Sequence, residues 1–194
     1  MKLVLFDFDG TLTTKDTLNE FLKFSVGYKK YFLNLFLFMP TFVLYKLKII
    51  SNNSAKEKLI SLFFKNWDAK IFQEKAYHFS LHKIDTMLHT STYKKLLAYK
   101  QSNARIIIIS ASIECWLEPW CNKHGIELLS TKLEITEKKV SGKFLTKNCY
   151  GIEKVNRLKE IVTLSNFSEI IAYGDSAGDD EMFKIATTFY KIKH

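Results

Sequence analysis

Arginine is nearly absent from this chain. Only Arg105 and Arg157 occur among its 29 basic residues, so lysine supplies almost all of a formal net charge of +9. A basic surface favours anionic partners. Base edges and phosphates, however, are read best by the planar guanidinium fork, so a nucleic-acid role is disfavoured. Cysteine is scarce too. Cys115, Cys121 and Cys149 form neither an even-numbered disulfide framework nor a zinc-ligand spacing. Two prolines and seven glycines in 194 residues exclude collagen-like and linker-rich chains. The start `MKLVLFDFDG` reaches acid after six residues and does not read as a secretory leader. A cytoplasmic location is expected.

What is present is apolar and aromatic. Hydrophobic residues make up 47%, with 16 Phe and 9 Tyr, enough for one core and a smaller attached lobe. `KLVLF`, `ARIIIIS`, `IELLS` and `EIIAYGDS` read as buried strands, and `TTFYKI` as a short last one. Helical patterns separate them, and `KLEITEKKVSGKFL` reads as a hairpin carrying `SG`. This alternation predicts an α/β fold, a Rossmann-like, open and mostly parallel sheet with helices on both faces. Residues 14–85 interrupt it with helices alone. We therefore divide the chain into an α/β core, residues 1–13 and 86–194, and a helical cap, residues 14–85. Within the cap, `YFLNLFLFMPTFVLYKLKII` is expected to form two apolar helices meeting near Pro40. Ser54 is the expected cap of the next helix, with Glu57 in the capping-box place.

The informative oddity is an apolar strand that runs into Asp7 and Asp9. A buried unpaired carboxylate costs several kcal/mol or forces its pKa up. Ligands of open α/β sheets bind beyond the C-terminal strand ends. Three such ends carry polar groups: Asp7 and Asp9, Ser110, and Asp175 with Asp179. Clustered carboxylates call for a hard cation, and Mg²⁺ suits a few carboxylates plus a substrate phosphate.

Four segments, `DFDGTLT`, `IIIISAS`, the lysine of `CYGIEKV` and `YGDSAGDDEM`, resemble the ordered motifs of haloacid dehalogenase-like hydrolases. The layout is similar to the phosphoserine phosphatase-like branch, whose helical cap follows the first motif. The resemblance spans residues 7–182. It implies a phosphatase in which Asp7 is nucleophile and Mg²⁺ ligand. Asp9 is then the general acid/base, with its carbonyl on the metal. Ser110 and Lys154 hold the phosphoryl group, and Asp175 and Asp179 complete the metal site. Lys147 and Asp180 are the nearby rivals of Lys154 and Asp179. Gly10 allows backbone amides to approach the phosphate. Asp16 reads equally as a cap-entrance acid or a helix cap.

One departure bears on substrate. The cap arginine that holds the carboxylate of phosphoserine has no counterpart in residues 14–85; Lys56 and Lys58 are the available cations. The expected substrate is a small phosphorylated metabolite, with a lipid headgroup phosphate or phosphoserine as alternatives. Residues 31–50 are a candidate peripheral contact with the inner membrane surface, given their apolar length and bordering lysines. Cap core and a dimer or protein contact are the other readings of that stretch, and oligomeric state stays open. The non-enzyme alternative is a membrane or protein adaptor on an inactive hydrolase fold. A dehalogenase is disfavoured, because it needs neither the Mg²⁺ cluster nor a second acid at Asp9.

Overall fold

The computed structural model describes residues 1–193. Its centre is strand β1 (Lys2–Phe6), followed by an all-helical insertion of α1 (Thr17–Val26), α2 (Tyr28–Lys46), α3 (Asn52–Phe64) and α4 (Ala69–Lys83). Helix α5 (Thr90–Gln101) leads into β2 (Arg105–Ile113), then α6 (Glu114–His124) and β3 (Glu127–Thr131). A hairpin of β4 (Leu133–Thr136) and β5 (Lys139–Phe144) precedes α7 (Ile152–Ile161), β6 (Glu169–Gly174), α8 (Asp180–Lys184) and β7 (Thr188–Lys191). The sheet is ordered β3-β2-β1-β6-β7 and every pairing in it is parallel.

Burial on both faces explains the uninterrupted apolar strands. Successive side chains of a strand point to opposite faces. Val4 and Phe6 therefore join Ile106, Ile108, Trp116 and Trp120 in one cluster. Leu3 and Leu5 join Ile107, Ile109, Leu158 and Met182 in the other. The insertion shares the first cluster through aromatic contacts. Phe21 of α1 stacks on Trp116 of α6 at 4.6 Å between ring centroids, and also meets Phe64, Phe72 and Phe79. Much of the phenylalanine excess is spent here.

Three local expectations are corrected. The stretch around Pro40 is one helix, α2, not two. Proline removes the bond that would reach the carbonyl of Phe36, but both residues lie on the exposed side, where solvent can serve that carbonyl. Ser51, not Ser54, caps α3, its hydroxyl oxygen accepting from the Ser54 amide at 3.1 Å. Glu57 instead accepts from the Phe144 amide at 2.9 Å and ties α3 to the hairpin. The hairpin turns at Glu137 and Lys138, whose φ values of 51° and 61° match a type I′ turn, while Ser141 and Gly142 lie inside β5.

Gly142 has a separate reason to be glycine. It sits at φ 85°, and a Cβ there would come within 2.6 Å of Ser61 on α3. Gly142→Ala should destabilise the fold by about 2–4 kcal/mol, combining overpacking with left-handed strain. Thermal unfolding checks this; an unchanged Tm would show that the hairpin does not seat on α3 this tightly.

Candidate active site

The direction of the chain across the sheet reverses at β1: β2 and β3 lie on one side, β6 and β7 on the other. That reversal opens a crevice at the C-terminal ends of β1, β2 and β6. Asp7 follows β1 directly, and its amide donates to the Tyr173 carbonyl of β6 at 2.9 Å. Gly10 takes φ 75° in the turn beyond it. Strand β2 passes Ser110 and runs on to Ile113, with a register shift after Ser110 where a strand end was expected. Ser110 is buried there and accepts from the Ser112 amide at 3.0 Å.

Lys154 comes from the first turn of α7 and is buried between two acids. Its Nζ donates to Asp7 Oδ1 and to Asp179 Oδ1, each at 2.6 Å. Burial alone would lower its pKa, but the two carboxylates outweigh that and raise it. The second oxygen of Asp179 accepts from the Asp175 amide at 3.2 Å, the Ser176 amide at 3.1 Å and the Ser176 hydroxyl at 3.2 Å. This close fold of the loop requires Gly174, where a Cβ would stand 2.6 Å from Asp179. Asp7, Asp175 and Asp179 bring one carboxylate oxygen each within 4.8 Å of one another. Burial, reinforced by Asp179 and Asp9 against the pull of Lys154, pushes Asp7 up to about 7.

Asp9 lines the same cavity without joining this cluster. Its Oδ1 accepts from the Thr17 amide at 2.6 Å and its Oδ2 from the Ser112 hydroxyl at 2.5 Å. Thr17 Oγ1 lies 3.1 Å from Ser112 Oγ and accepts from Trp116 Nε1 at 3.3 Å, so the start of α1 is tied to Asp9 and to the core. Burial raises the Asp9 pKa, with Asp16 adding to it, and the bonds from Ser112 and Thr17 oppose the shift. Asp16 itself caps α1, accepting from the Asn19 amide at 2.8 Å, and also lines the cavity mouth.

The rivals named from sequence separate cleanly. Asp180 is exposed, 4.0 Å from Lys191, whereas Asp179 is fully buried. Lys147 is exposed and gives its backbone carbonyl to Arg157. Neither arginine enters the crevice. Arg105 forks onto Glu127, and Arg157 is spent on the carbonyls of Ser130 and Lys147. Of the two cap lysines, Lys58 is exposed. Lys56 lines the cavity and donates to the Ala111 carbonyl at 2.9 Å. Burial lowers the Lys56 pKa against the opposing pull of Asp16, Asp9 and Asp7.

Sequence reasoning missed Ser112 and Thr17. Ser112 lies 103 residues from its partner Asp9, and a serine in an apolar strand carries no signal of such a bond. The cavity encloses about 440 Å³ between Asp7, Asp9, Ser110, Lys154 and Asp175 on the core side and Lys56, Leu59, Phe38, Phe42 and Tyr45 on the insertion side.

The donor set fits a hard divalent cation. Asp7, Asp9, Asp16, Asp175 and Asp179 bring five carboxylates, and Lys154 and Lys56 two ammonium groups, so carboxylates outnumber the cations around the crevice by three. All-oxygen ligands and that excess suit Mg²⁺ or a similar ion held by Asp7, Asp175 and Asp179.

A parallel sheet with a helical insertion after the first strand, and acids gathered at its switch point, defines a capped α/β protein of the Rossmann-like class. The profile of the haloacid dehalogenase-like hydrolases matches residues 4–184, and the chain belongs to that family. Protein CicA of Caulobacter vibrioides is 30% identical over 188 residues, covering 95% of this chain and 82% of that protein. A crystal structure of a protein of unknown function from Bordetella pertussis superposes with a TM-score of 0.80 at 17% identity, covering 98% of this chain and 89% of that one. A phosphoserine phosphatase solved as a phospho-aspartyl intermediate analogue superposes with a TM-score of 0.67 at 17% identity, over 98% and 85% of the two chains.

Proposed function

We propose that this protein is a Mg²⁺-dependent phosphomonoester hydrolase that works through an aspartyl-phosphate on Asp7. The observation that carries the reading is the placement of Asp7. It accepts from the ammonium group of Lys154 and brings an oxygen within 4.8 Å of the acids of the β6 loop, with a second carboxylate, Asp9, two residues on and separately anchored. A carboxylate so placed attacks phosphorus, the ester P–O bond breaks, and Asp9 gives a proton to the departing alkoxide. Asp9 then takes a proton from water, the water oxygen attacks phosphorus, and the Asp7–phosphorus linkage breaks to release inorganic phosphate. Lys154 and the Ser110 hydroxyl hold phosphoryl oxygens throughout. When bound by Asp7, Asp175 and Asp179, with the Asp9 carbonyl as a further ligand, Mg²⁺ supplies neutralisation of charge on those oxygens.

The substrate we favour is a small organic phosphate. Phosphoserine is disfavoured, because Lys56, the cap lysine that lines the cavity, offers a point charge in place of a guanidinium fork. A lipid headgroup phosphate is the second reading, supported by the apolar wall of Phe38, Phe42 and Leu59. Phosphate release from an aryl phosphate, a panel of phosphorylated metabolites and lipid phosphates in vesicles, each with Mg²⁺ and with EDTA, tests both. No Mg²⁺-dependent release from any of them would overturn the proposal.

Ser112 is expected to act on the reaction through Asp9. Hydrogen bonds to a charged group contribute about 1.5–3 kcal/mol, so Ser112→Ala should lower kcat roughly 10–100-fold with KM little changed. A pure rise in KM would show that Ser112 does not position the acid.

A further inference from the structure

Helix α2 is bedded along one side and bare along the other. Tyr31 and Asn34 are buried against the rest of the insertion, while Phe32, Leu33, Phe36, Leu37 and Val43 stand between 48% (Val43) and 74% (Phe36) exposed. Leu47 and Ile49 extend the apolar surface past the end of the helix, both 65% exposed. No charged residue occurs between Lys30 and Lys46. A bare surface of this kind marks a contact with something outside the fold.

The charges around it indicate what that is. No acidic residue occurs between Glu20 and Glu57, and exposed lysines border the patch at both ends, Lys29 and Lys30 at one and Lys46 and Lys48 at the other. The Nζ of Lys46 lies 5.3 Å from the ring centroid of Phe42, its stem along the apolar surface and its ammonium at the edge. A second copy of the chain fits badly. Packing two such helices in either direction sets lysine ends against lysine ends, on a protein already at +9. A transmembrane seat is also unsuitable: the inner side of α2 is fixed to the insertion, and no helix among the described residues is long and apolar enough to cross a membrane.

We infer that the outward face of α2 seats this protein on an anionic lipid surface, lying flat with its apolar side chains among the acyl chains and its lysines at the headgroups. Phe42 belongs both to this face and, with Phe38 and Tyr45, to the lining of the catalytic cavity. Seating therefore brings the cavity wall to the lipid surface. That last consequence rests on the hydrolase reading; the seating itself does not.

Flotation of the intact chain with vesicles of phosphatidylcholine, and of phosphatidylcholine mixed with phosphatidylglycerol, tests the inference. Binding to the mixed vesicles should exceed binding to phosphatidylcholine alone by about tenfold or more. The double substitution Phe36→Asp and Val43→Asp, both outside the cavity lining, should weaken it about tenfold or more. Replacing Lys29, Lys30, Lys46 and Lys48 by alanine should do the same. Turnover of a soluble aryl phosphate should stay within about twofold in both variants, which also shows that they fold. Absent flotation, or equal flotation of the variants, overturns the inference. So does a wild-type dimer in light scattering that the aspartate variant splits, since the face would then belong to a second copy. Loss of the hydrolase reading is seen separately, as flotation without aryl phosphate turnover.

Discussion

Lys154→Met should destabilise the metal-free protein by about 3–5 kcal/mol, because it removes one partner of a buried ion cluster. The Lys154 side chain is 2% exposed and neutralises Asp7 and Asp179 together. Without it, Asp7 and Asp179 lose the ammonium group that pairs with both, and methionine fills the volume without supplying charge. Urea denaturation in EDTA reads the effect. In millimolar Mg²⁺ the loss should shrink, since a cation bound by Asp7, Asp175 and Asp179 takes over part of the neutralisation. A variant as stable as wild type in EDTA would show that these carboxylates are protonated or solvated in the metal-free protein. Equal losses in EDTA and Mg²⁺ would argue against a cation at that cluster.

Asp7→Asn should abolish turnover without unfolding the protein. The amide is nearly isosteric but is no nucleophile toward phosphorus, and loss of a covalent nucleophile typically costs roughly 10⁴-fold or more in kcat. Stability should move the other way. The metal-free crevice carries an excess of negative charge, and Asp7 is already pushed up to about 7 by burial and by its acidic neighbours. Neutralising it relieves the cost of burying the charge and the repulsion from Asp179 and Asp9, which together outweigh the lost attraction to Lys154, so Tm in EDTA should hold or rise. Retained activity with a normal Tm would remove Asp7 from the chemistry. Lost activity together with a collapsed Tm would show that the carboxylate is needed for folding.

These two residues also show what the sequence made legible. An apolar strand ending in Asp7 is a local contradiction, and contradictions of this kind between burial and charge concentrate at functional sites. The same holds for β6 running into Asp175. Lys154 had no such signal. It lies among ordinary helix residues, and only its resemblance to a motif singled it out; its burial comes from the way α7 packs over the crevice. Asp179 and Asp180 are adjacent in sequence, and only the spacing of the motif favoured Asp179; the loop after β6 buries Asp179 and leaves Asp180 exposed. Ser112 and Thr17 reach Asp9 across elements far apart in the chain, and no spacing rule connects them. Local overrides follow the same pattern. Pro40 stays inside a helix because its free carbonyl partner is on the open side, and Gly142 sits within a strand because α3 approaches it, not because the chain turns there.

The most direct test of the account is to find the covalent phosphoryl group. Rapid acid quench during turnover of an aryl phosphate in Mg²⁺, followed by peptide mass spectrometry, should find the mass of one phosphoryl group on the peptide carrying Asp7. The label should be absent in Asp7→Asn. Turnover with no acid-trapped phosphoryl group, or with the group on another residue, would contradict Asp7 as the attacking carboxylate.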